Sequence, residues 1–310
     1  MPTRASPLRG QVVLITGAGS GIGAATAKEL QRRGALPVLV DCDTANVQAV
    51  ALSLGADVLA LTADVTVMAD CEAAVALALT RHGRIDVVWA NAGMASFGPL
   101  THTDPQAWKR CLEVNINGTF NTVRSALPAV LAARGYVLAT ASVACFGHAP
   151  FMSAYAASKA AIEAMCDAWR IELDSHGVGV GVIHPTWVST PLVTEGVLHP
   201  SFVRLRATMP GPLGREIPAA RAASLIADGL ERRDRRLWVP GWVRALHWLR
   251  ALLHTPIAER ELLRAVPEME MHYLQGLAQA GALASSLGPR ELARVLEQRL
   301  EQSRAIEGAG

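Results

Sequence analysis

Short apolar runs rich in Val, Ile and Leu alternate along this chain with longer stretches in which apolar residues recur every three or four positions. The first pattern is typical of buried strands and the second of amphipathic helices. The runs predict strands at Gln11–Thr16, Leu36–Val40, Val58–Leu61, Ile85–Ala90, Tyr136–Ala141 and Val178–Ile183, and the stretches between them predict helices at 24–34, Asp70–Arg81, Asp104–Arg124 and Ser153–Arg170. This alternation predicts an α/β chain with a doubly wound parallel sheet, whose ligands bind at the carboxyl ends of the strands.

The helix predicted at Asp104–Arg124 begins at Asp104-Pro105, a pair typical of helix starts. Its apolar residues recur at helical spacing and so share one side of the helix: Trp108, Leu112, Ile116 and Phe120. Asn115 lies on another face.

The alternation stops near residue 236, so we predict a single α/β domain at residues 1–236 and a helical C-terminal appendage at residues 237–310. Within the appendage, Trp242–His254 projects as an amphipathic helix, with an apolar side formed by Trp242, Ala245, Leu246, Leu249, Leu252 and Leu253. Pro289–Ile306 predicts a final charged helix with Leu292, Leu296 and Leu300 facing inward. The amphipathic helix packs on the core or on a sister subunit in the favoured interpretation; contact with a membrane surface and substrate gating are the alternatives.

Composition narrows the function. The chain has 310 residues, is 51% hydrophobic and carries a formal net charge of +2, which excludes the basic surface that nucleic-acid binding requires. Five scattered cysteines without a CxxC pair indicate neither a disulfide framework nor a metal site. The N-terminal stretch lacks an apolar leader core and no run is long enough to cross a bilayer, so we expect a cytoplasmic protein.

A glycine-rich turn follows the first predicted strand. Gly17, Gly21 and Gly23 allow a tight turn and a close backbone approach, so that the next helix presents free N–H groups to a pyrophosphate. The second predicted strand ends at Asp41, whose carboxylate would accept hydrogen bonds from the adenosine ribose hydroxyls and repel a 2′-phosphate. This pattern favours NAD over NADP; the alternative is that Asp41 is a plain loop carboxylate.

Tyr155 and Lys159 lie four residues apart in a predicted helix and therefore share a face. A tyrosine hydroxyl near a cation has its phenolate form favoured, which suits acid–base chemistry. An ordinary solvated helix face is the alternative for these two residues taken alone.

Taken together, Thr16-Gly17-Ala18-Gly19-Ser20-Gly21-Ile22-Gly23, Asn91-Ala92-Gly93 and the Tyr155/Lys159 pair resemble the short-chain dehydrogenase/reductase family of the TGxxxGIG/YxxxK type. The resemblance covers about Gln11 to Arg235 and implies a Rossmann fold, with the C-terminal region as an extension. Ala90 and Thr186 depart from the family pattern, which usually has Asn and Gly there.

The resemblance also implies roles for individual residues. Tyr155 exchanges the proton, Lys159 lowers its pKa and holds the nicotinamide ribose, and Ser142 hydrogen-bonds the substrate oxygen. Asn115 distorts its helix and holds a water on a proton path. A polar residue within a packed helix is the alternative for Asn115, and turn caps are the alternative for Asp64 and Asn91. The residues implied to bind the cofactor are Gly17, Ser20, Gly21, Ile22, Gly23, Asp41, Asp64, Val65, Asn91, Ala92, Gly93, Tyr155, Lys159, Pro185, Val188 and Thr190.

These expectations lead to one main functional hypothesis. The chain is interpreted as an NAD-dependent oxidoreductase that interconverts a hydrophobic secondary alcohol and its ketone, in a homodimer or homotetramer. The apolar substrate site would draw on Met94, Phe97, Phe146, Phe151, Trp187, Leu192, Phe202 and Met209, under a mobile lid at Leu192–Gly214 or, in the alternative, an ordinary loop. The competing hypothesis is a non-catalytic dinucleotide-binding sensor or scaffold.

Overall fold

A seven-stranded parallel sheet forms the centre of the molecule. The computed structural model describes residues 6–196 and 199–307. The strands are β1 Val12–Thr16, β2 Leu36–Asp41, β3 Leu59–Thr62, β4 Val87–Ala90, β5 Tyr136–Thr140, β6 Gly179–Pro185 and β7 Arg236–Val239, in the spatial order β3-β2-β1-β4-β5-β6-β7. The central strands β1, β4 and β5 are buried at every position, as expected of parallel strands covered on both faces. The predicted doubly wound Rossmann fold is confirmed.

Helices cover both faces of this sheet. They are α1 Gly21–Arg32, α2 Thr44–Leu54, α3 Met68–His82, α4 Pro105–Leu112, α5 Gly118–Ala132, α6 Ser153–Asp174, α7 Pro191–Gly196, α8 Pro200–Ala207, α9 Ala219–Arg232, α10 Val243–Trp248, α11 Pro256–Ser286 and α12 Pro289–Glu307. Helices α3, α5 and α6 pack on one face, and α1, α2 and α9 pack on the other. The two helix layers form separate apolar clusters, so the carboxyl ends of the strands between the layers are left open for ligands.

A wide helical turn at Glu113–Asn117 joins α4 to α5. The predicted start is correct, since Asp104 accepts hydrogen bonds from Gln106 N and Ala107 N at 2.7 and 3.2 Å. The side of this helix that carries Trp108 and Phe120 is not the buried side: these two residues are 36% and 46% exposed, whereas Asn115 is fully buried. The wide turn changes the helical register, and small or polar residues such as Cys111 and Thr119 form the buried face instead.

The sheet crosses the predicted boundary between residues 236 and 237. Strand β7 pairs with β6 from Val182–Arg236 to Pro185–Val239, so the sheet itself runs to Val239. Sequence reasoning did not predict this four-residue strand.

The first part of the C-terminal region is not one amphipathic helix. Helix α10 ends at Trp248, and a short 3-10 turn follows at Arg250–His254. Leu249 and Leu252 are therefore exposed, whereas His247 turns inward against Phe146 and Trp238. The helical projection failed because Leu249 leaves the helical conformation (φ −96°, ψ 8°) and breaks the periodicity.

The rest of the C-terminal region consists of α11 and α12. Sequence reasoning missed α11, which Thr255 caps by accepting a hydrogen bond from Ala258 N and which is kinked at Gly281 (φ 81°, ψ 168°). The predicted final helix is confirmed as α12, but Leu296 and Leu300 are 46% and 59% exposed. Leu292 packs inward as predicted, together with Val295, because only the first turns of α12 reach the core. None of the helices in the described ranges has the length and hydropathy that crossing a bilayer requires.

Candidate active site

A cleft of about 310 Å³ opens at the carboxyl ends of the parallel strands. One end is lined by the glycine-rich turn after β1, and the middle by the segments that follow β4, β5 and β6. The other end is lined by apolar residues of α7, α8 and their neighbours. All the residues predicted to bind the cofactor except Gly23, and all the predicted catalytic residues except Asn115, line this cleft.

The turn between β1 and α1 is shaped for close backbone approach. A Cβ on Gly23 would lie 2.3 Å from Gly17 O, and a Cβ on Gly17 would lie 2.8 Å from Ala92 Cα. Gly17 and Gly21 have φ values of +66° and +56°, which favour glycine. Ser20 does not cap α1 with its side chain, and Ser20, Gly21 and Ile22 line the cleft, so the first N–H groups of the helix are left available for a pyrophosphate. These features fit a dinucleotide.

Asp41 ends β2 with its carboxylate held by the backbone. Gly19 N donates to Oδ2 at 2.9 Å and Asp43 N donates to Oδ1 at 3.0 Å. The carboxylate is thereby fixed at the cleft wall, at the place where an adenosine ribose would lie beside the turn.

Asn91 ties the glycine-rich turn to its neighbouring strands. Its Nδ2 donates to Thr16 O and Gly17 O at 3.0 and 3.2 Å, and its Oδ1 accepts a hydrogen bond from Thr140 Oγ1 at 3.2 Å. Ala92 N in turn donates to Thr16 Oγ1 at 3.2 Å. Asn91 and Ala92 therefore act here as supports of the turn.

Asp64 and Val65 lie beyond β3, where an adenine base would be expected. Burial would raise the pKa of Asp64, but hydrogen bonds from Thr66 and the charge of Arg110 outweigh it and lower the pKa. Arg110 lies 3.1 Å from Asp64 Oδ2. The carboxylate is thus ionised and paired at the cleft wall.

Tyr155 and Lys159 project from the first turns of α6 toward the cleft. Lys159 is 3% exposed, and its Nζ donates to Thr140 O at 2.8 Å and lies 5.6 Å from the centroid of the Tyr155 ring. Ser142, just past β5, accepts a hydrogen bond from Ala144 N at 3.1 Å. The structure therefore brings the three predicted residues together in the wall of one cleft.

Burial and Ser142 act in opposite directions on the pKa of Tyr155. Burial raises it to about 12, although a hydrogen bond with Ser142 lowers it. Burial also lowers the pKa of Lys159 to about 8. The lowering of the Tyr155 pKa by Lys159 stays a prediction.

Asn115 lies in the wide turn behind the cleft rather than in its wall. Its Oδ1 accepts a hydrogen bond from Met94 N at 2.9 Å, and its Nδ2 donates to Met94 O and Ser158 Oγ at 2.9 and 2.8 Å. A Cβ on Gly93 would lie 3.2 Å from both Asn115 Oδ1 and Lys159 Nζ. Gly93 therefore lets Asn115 and Lys159 approach the same backbone segment.

Pro185, Val188 and Thr190 follow β6 and line the cleft between the turn and Tyr155. Val188 forms an isolated parallel bridge with Ile217, and Thr190 contacts the turn closely, since a Cβ on Gly21 would lie 3.2 Å from Thr190 Cγ2. Their position fits the predicted nicotinamide end of the cleft.

The apolar end of the cleft differs in part from the predicted set. Met94, Trp187, Leu192, Phe202 and Met209 line it, as does Met152, which was not predicted. Three predicted aromatic residues lie elsewhere: Phe97 and Phe151 pack behind Phe202, and Phe146 is buried against Val243.

The segment predicted as a lid at Leu192–Gly214 contains the helices α7 and α8 and a short 3-10 turn at Gly211–Gly214; residues 197 and 198 of the predicted lid lie outside the described residues. Helix α11 lies behind α8, with Ala265 and Met269 fully buried against Phe202 and Leu205. Much of this wall therefore has a helical backing.

Sequence reasoning also missed a buried charged cluster behind the Ser142 segment. Glu163 Oε1 lies 3.6 Å from His184 Nε2, 3.8 Å from His247 Nδ1 and 3.5 Å from Arg236. Burial would raise the pKa of Glu163, but His184, Cys145 and Arg236 outweigh it and lower the pKa to about 2. One signal in the sequence could have indicated this cluster: Glu163 lies on the same helix face as Tyr155 and Lys159.

The fold and the cleft define a class of protein, and comparison with known proteins identifies it. Residues 11–199 match the family described as short chain dehydrogenase, and the chain belongs to that family of oxidoreductases. A cyclohexanol dehydrogenase from Acinetobacter sp. (strain SE19) is 31% identical over 224 residues, covering 70% of this chain and 86% of the relative. An L-fucose dehydrogenase from Mus musculus is 34% identical over 220 residues, covering 69% and 80%.

Solved structures agree. The crystal structure of a 3-ketoacyl-(acyl-carrier-protein) reductase from Brucella melitensis, complexed with NADH, superposes with a TM-score of 0.67 at 30% identity. The match covers 75% of this chain and 97% of that chain.

Proposed function

We propose that this protein is an NAD-preferring oxidoreductase that interconverts a hydrophobic secondary alcohol and its ketone. The observation that carries the proposal is the convergence of Ser142, Tyr155 and Lys159 on one cleft that begins at a dinucleotide-shaped turn. A binding-only protein has no need for a tyrosine, a lysine and a serine at the same end of such a cleft.

The roles follow from the positions of the side chains. Tyr155 gives a proton to the ketone oxygen in reduction and takes one from the alcohol in oxidation, and Ser142 orients that oxygen by a hydrogen bond. A nicotinamide cofactor held in this cleft would supply or accept the hydride.

Two further residues support this proton transfer. Lys159, anchored to Thr140 O at 2.8 Å, holds the nicotinamide ribose and keeps a positive charge behind Tyr155. Asn115 holds the Met94 backbone and Ser158 in place and connects the site to solvent.

NAD preference is supported by Asp41. Its carboxylate is fixed at the ribose end of the cleft by two backbone N–H groups, where it accepts hydrogen bonds from ribose hydroxyls and repels a 2′-phosphate. The reductase from Brucella melitensis was solved with NADH, which agrees with this choice.

The substrate class is supported by the apolar end of the cleft. Met152, Trp187, Phe202 and Met209 surround the space beyond Tyr155, and such walls leave the hydroxyl groups of a sugar unpaired. The cyclohexanol dehydrogenase is named for a substrate of this class, whereas the L-fucose dehydrogenase is named for a sugar. We propose a bulky cyclic or aryl alcohol.

The test is a substrate screen with purified protein and NAD, followed by absorbance of the reduced nicotinamide. Cyclohexanol, a steroid alcohol and an aryl secondary alcohol are compared with L-fucose at equal concentration. Turnover of an apolar alcohol that disappears in Tyr155→Phe, while NAD still binds, supports the proposal. Turnover of L-fucose alone refutes the substrate class, and turnover by Tyr155→Phe at the wild-type rate refutes the mechanism.

We also propose that the protein forms a homodimer or homotetramer in the cytoplasm. Exposed apolar residues on the outer faces of α5 and α6, Phe120 at 46% and Ile171 at 80%, support a subunit contact. Light scattering of the purified chain measures the assembly, and a monomer at micromolar concentration would contradict it.

A further inference from the structure

The C-terminal helix α12 forms a wall of the cofactor cleft, at the end where Asp41 lies. Gly288, Arg290, Glu291 and Arg294 line the cleft together with the residues of the glycine-rich turn. Sequence reasoning assigned the C-terminal region to packing, substrate closure or membrane contact, and assigned none of it to the cofactor.

The position of this helix is set by contacts on both sides of the cleft. Phe97 N donates to Ser286 O at 3.0 Å just before the helix begins. Arg290 pairs with Glu195 of α7 at 2.8 Å, and Glu291 pairs with Arg110 of α4 at 3.1 Å. The first turns of α12 are thus fixed to two elements that border the cleft.

A row of alternating charges then crosses the adenosine end. Asp64 pairs with Arg110 at 3.1 Å, Arg110 with Glu291, and Glu291 with Arg294 at 3.4 Å. The row ends at Arg294, whose Nη2 lies 3.9 Å from both Asp41 Oδ1 and Asp43 Oδ2. A guanidinium therefore lies beside the carboxylate that is expected to exclude a 2′-phosphate.

The geometry of Arg294 allows it to bind a ligand. At 3.9 Å its contacts with Asp41 and Asp43 are too long for hydrogen bonds, and its side chain is 32% exposed. Arginine binds phosphate through paired N–H donors. A 2′-phosphate placed next to Asp41 would meet this charge within a side-chain movement.

We propose that Arg294 is a specificity-determining residue that admits the 2′-phosphate of NADP beside Asp41. Asp41 still favours NAD, and Arg294 offsets part of its repulsion, so the protein binds both cofactors with NAD preferred. This inference rests on the proposed function, because it places the adenosine ribose next to Asp41.

The test measures binding of NAD and NADP by isothermal titration calorimetry at low ionic strength. In Arg294→Ala, NADP affinity falls about tenfold and NAD affinity changes less than about threefold, as expected for loss of one charged phosphate contact. Arg294→Lys retains most of the NADP affinity. Arg260→Ala, which removes an exposed arginine from α11, controls for net charge and leaves both affinities unchanged.

A double-mutant cycle with Asp41→Ala completes the experiment. Asp41→Ala raises NADP affinity, and it does so more when Arg294 is present than in the double variant. Equal losses for NAD and NADP in Arg294→Ala, no change in either, or a wild type that binds NAD but not NADP would overturn the inference. A wild type that binds neither cofactor would instead overturn the proposed function, since binding is read without turnover.

Discussion

Asn115 pairs with both backbone polar groups of Met94. Its Oδ1 accepts from Met94 N and its Nδ2 donates to Met94 O, each at 2.9 Å. The buried side chain of Asn115 therefore fixes the segment after β4 against the wide turn in which Asn115 lies.

Asn115→Ala leaves the N–H and C=O of Met94 without these partners in a buried environment. We expect it to lower the free energy of unfolding by about 3 kcal/mol, because buried unpaired polar groups are costly. We also expect lower turnover, because Asn115 and Lys159 approach the same backbone segment at Gly93. Urea denaturation with parallel kinetics measures both effects. Asn117→Ala, at an exposed position in the same wide turn, is the matched control. Equal stability of the two variants would contradict this account.

Gly23→Ala tests the glycine-rich turn. The new Cβ would lie 2.3 Å from Gly17 O and 2.8 Å from Asn91 Nδ2, so the turn must open. We expect NAD affinity to fall at least about tenfold and stability to fall by about 2 kcal/mol. Calorimetric titration and thermal unfolding measure these changes. Gly241→Ala, where an added Cβ meets nothing within 4 Å, should leave both unchanged; unchanged NAD affinity in Gly23→Ala would refute the assignment.

The pH dependence of turnover follows from Tyr155, whose pKa burial raises to about 12. Oxidation requires the deprotonated hydroxyl as proton acceptor, so its kcat/KM should rise with pH above neutrality. Reduction requires the protonated form and should stay flat across neutral pH. Because Ser142 lowers the pKa of Tyr155, Ser142→Ala should move the oxidation limb to higher pH as well as reduce the rate.

Rate profiles in both directions between about pH 6 and 10 test this. The pKa of Lys159 is lowered by burial to about 8, so its charge is lost in the upper part of this range. An oxidation rate that falls as pH rises through neutrality would be inconsistent with Tyr155 as the base.

Glu163 gives a prediction for acid stability. Its pKa in the folded protein is about 2, against an ordinary value of 4.5. The contribution of the ionised Glu163 side chain to the free energy of unfolding is present in full above the ordinary pKa and is lost as pH falls toward 2. It amounts to at most about 3 kcal/mol, because each tenfold change in the proton affinity of the carboxylate corresponds to about 1.4 kcal/mol.

Glu163→Gln should therefore destabilise the protein at neutral pH and flatten the dependence of unfolding free energy between about pH 5 and 3. Chemical denaturation at several pH values measures the slope. Glu172→Gln, exposed on the same helix, is the control. A slope identical to that of the wild type would show that Glu163 is not stabilised in its ionised form.

Met269→Ala tests the backing of the substrate wall. Met269 is fully buried against Phe202 and Leu205, so its truncation should cost about 3 kcal/mol of stability. Loosening of α8 should raise KM for a bulky alcohol more than for a small one. Met271→Ala, 50% exposed on the same helix, is the matched control. Equal KM changes for both substrates would show that α11 serves stability alone.

Much of the fold could be predicted because its signals are local. The β1 strand, the glycine-rich turn and Asp41 occur within one short stretch, and the Tyr155/Lys159 spacing fixes a shared helix face. The wide turn at Asn115 agrees with the helix distortion that the family resemblance implies, but the pattern of apolar residues gives no sign of it, because the turn arises where the side chain finds partners on Met94 and Ser158. Those partners come from other elements.

The C-terminal region shows the same limit more strongly. Helical projection of α10 and α12 assumed regular, unbroken helices with one apolar side facing the core. The way each helix packs on the rest of the protein determines which of its residues are buried. Similarly, Tyr155 and Lys159 were paired correctly, but the direction of the tyrosine pKa depends on how deeply the site is enclosed. The contact between Arg294 and Asp41 joins two distant parts of the chain and leaves no pattern in the sequence.

The continuous run from α11 to α12 reaches both ends of the cleft, with Met269 behind the apolar wall and Arg294 beside Asp41. If α11 sets the substrate range and Arg294 the cofactor choice, as proposed, the two properties are linked in one exchangeable segment. A chimera that received residues 256–307 from a homologue with a different C-terminal region would change both properties in a single recombination step. Directed evolution confined to this segment would select the two traits together.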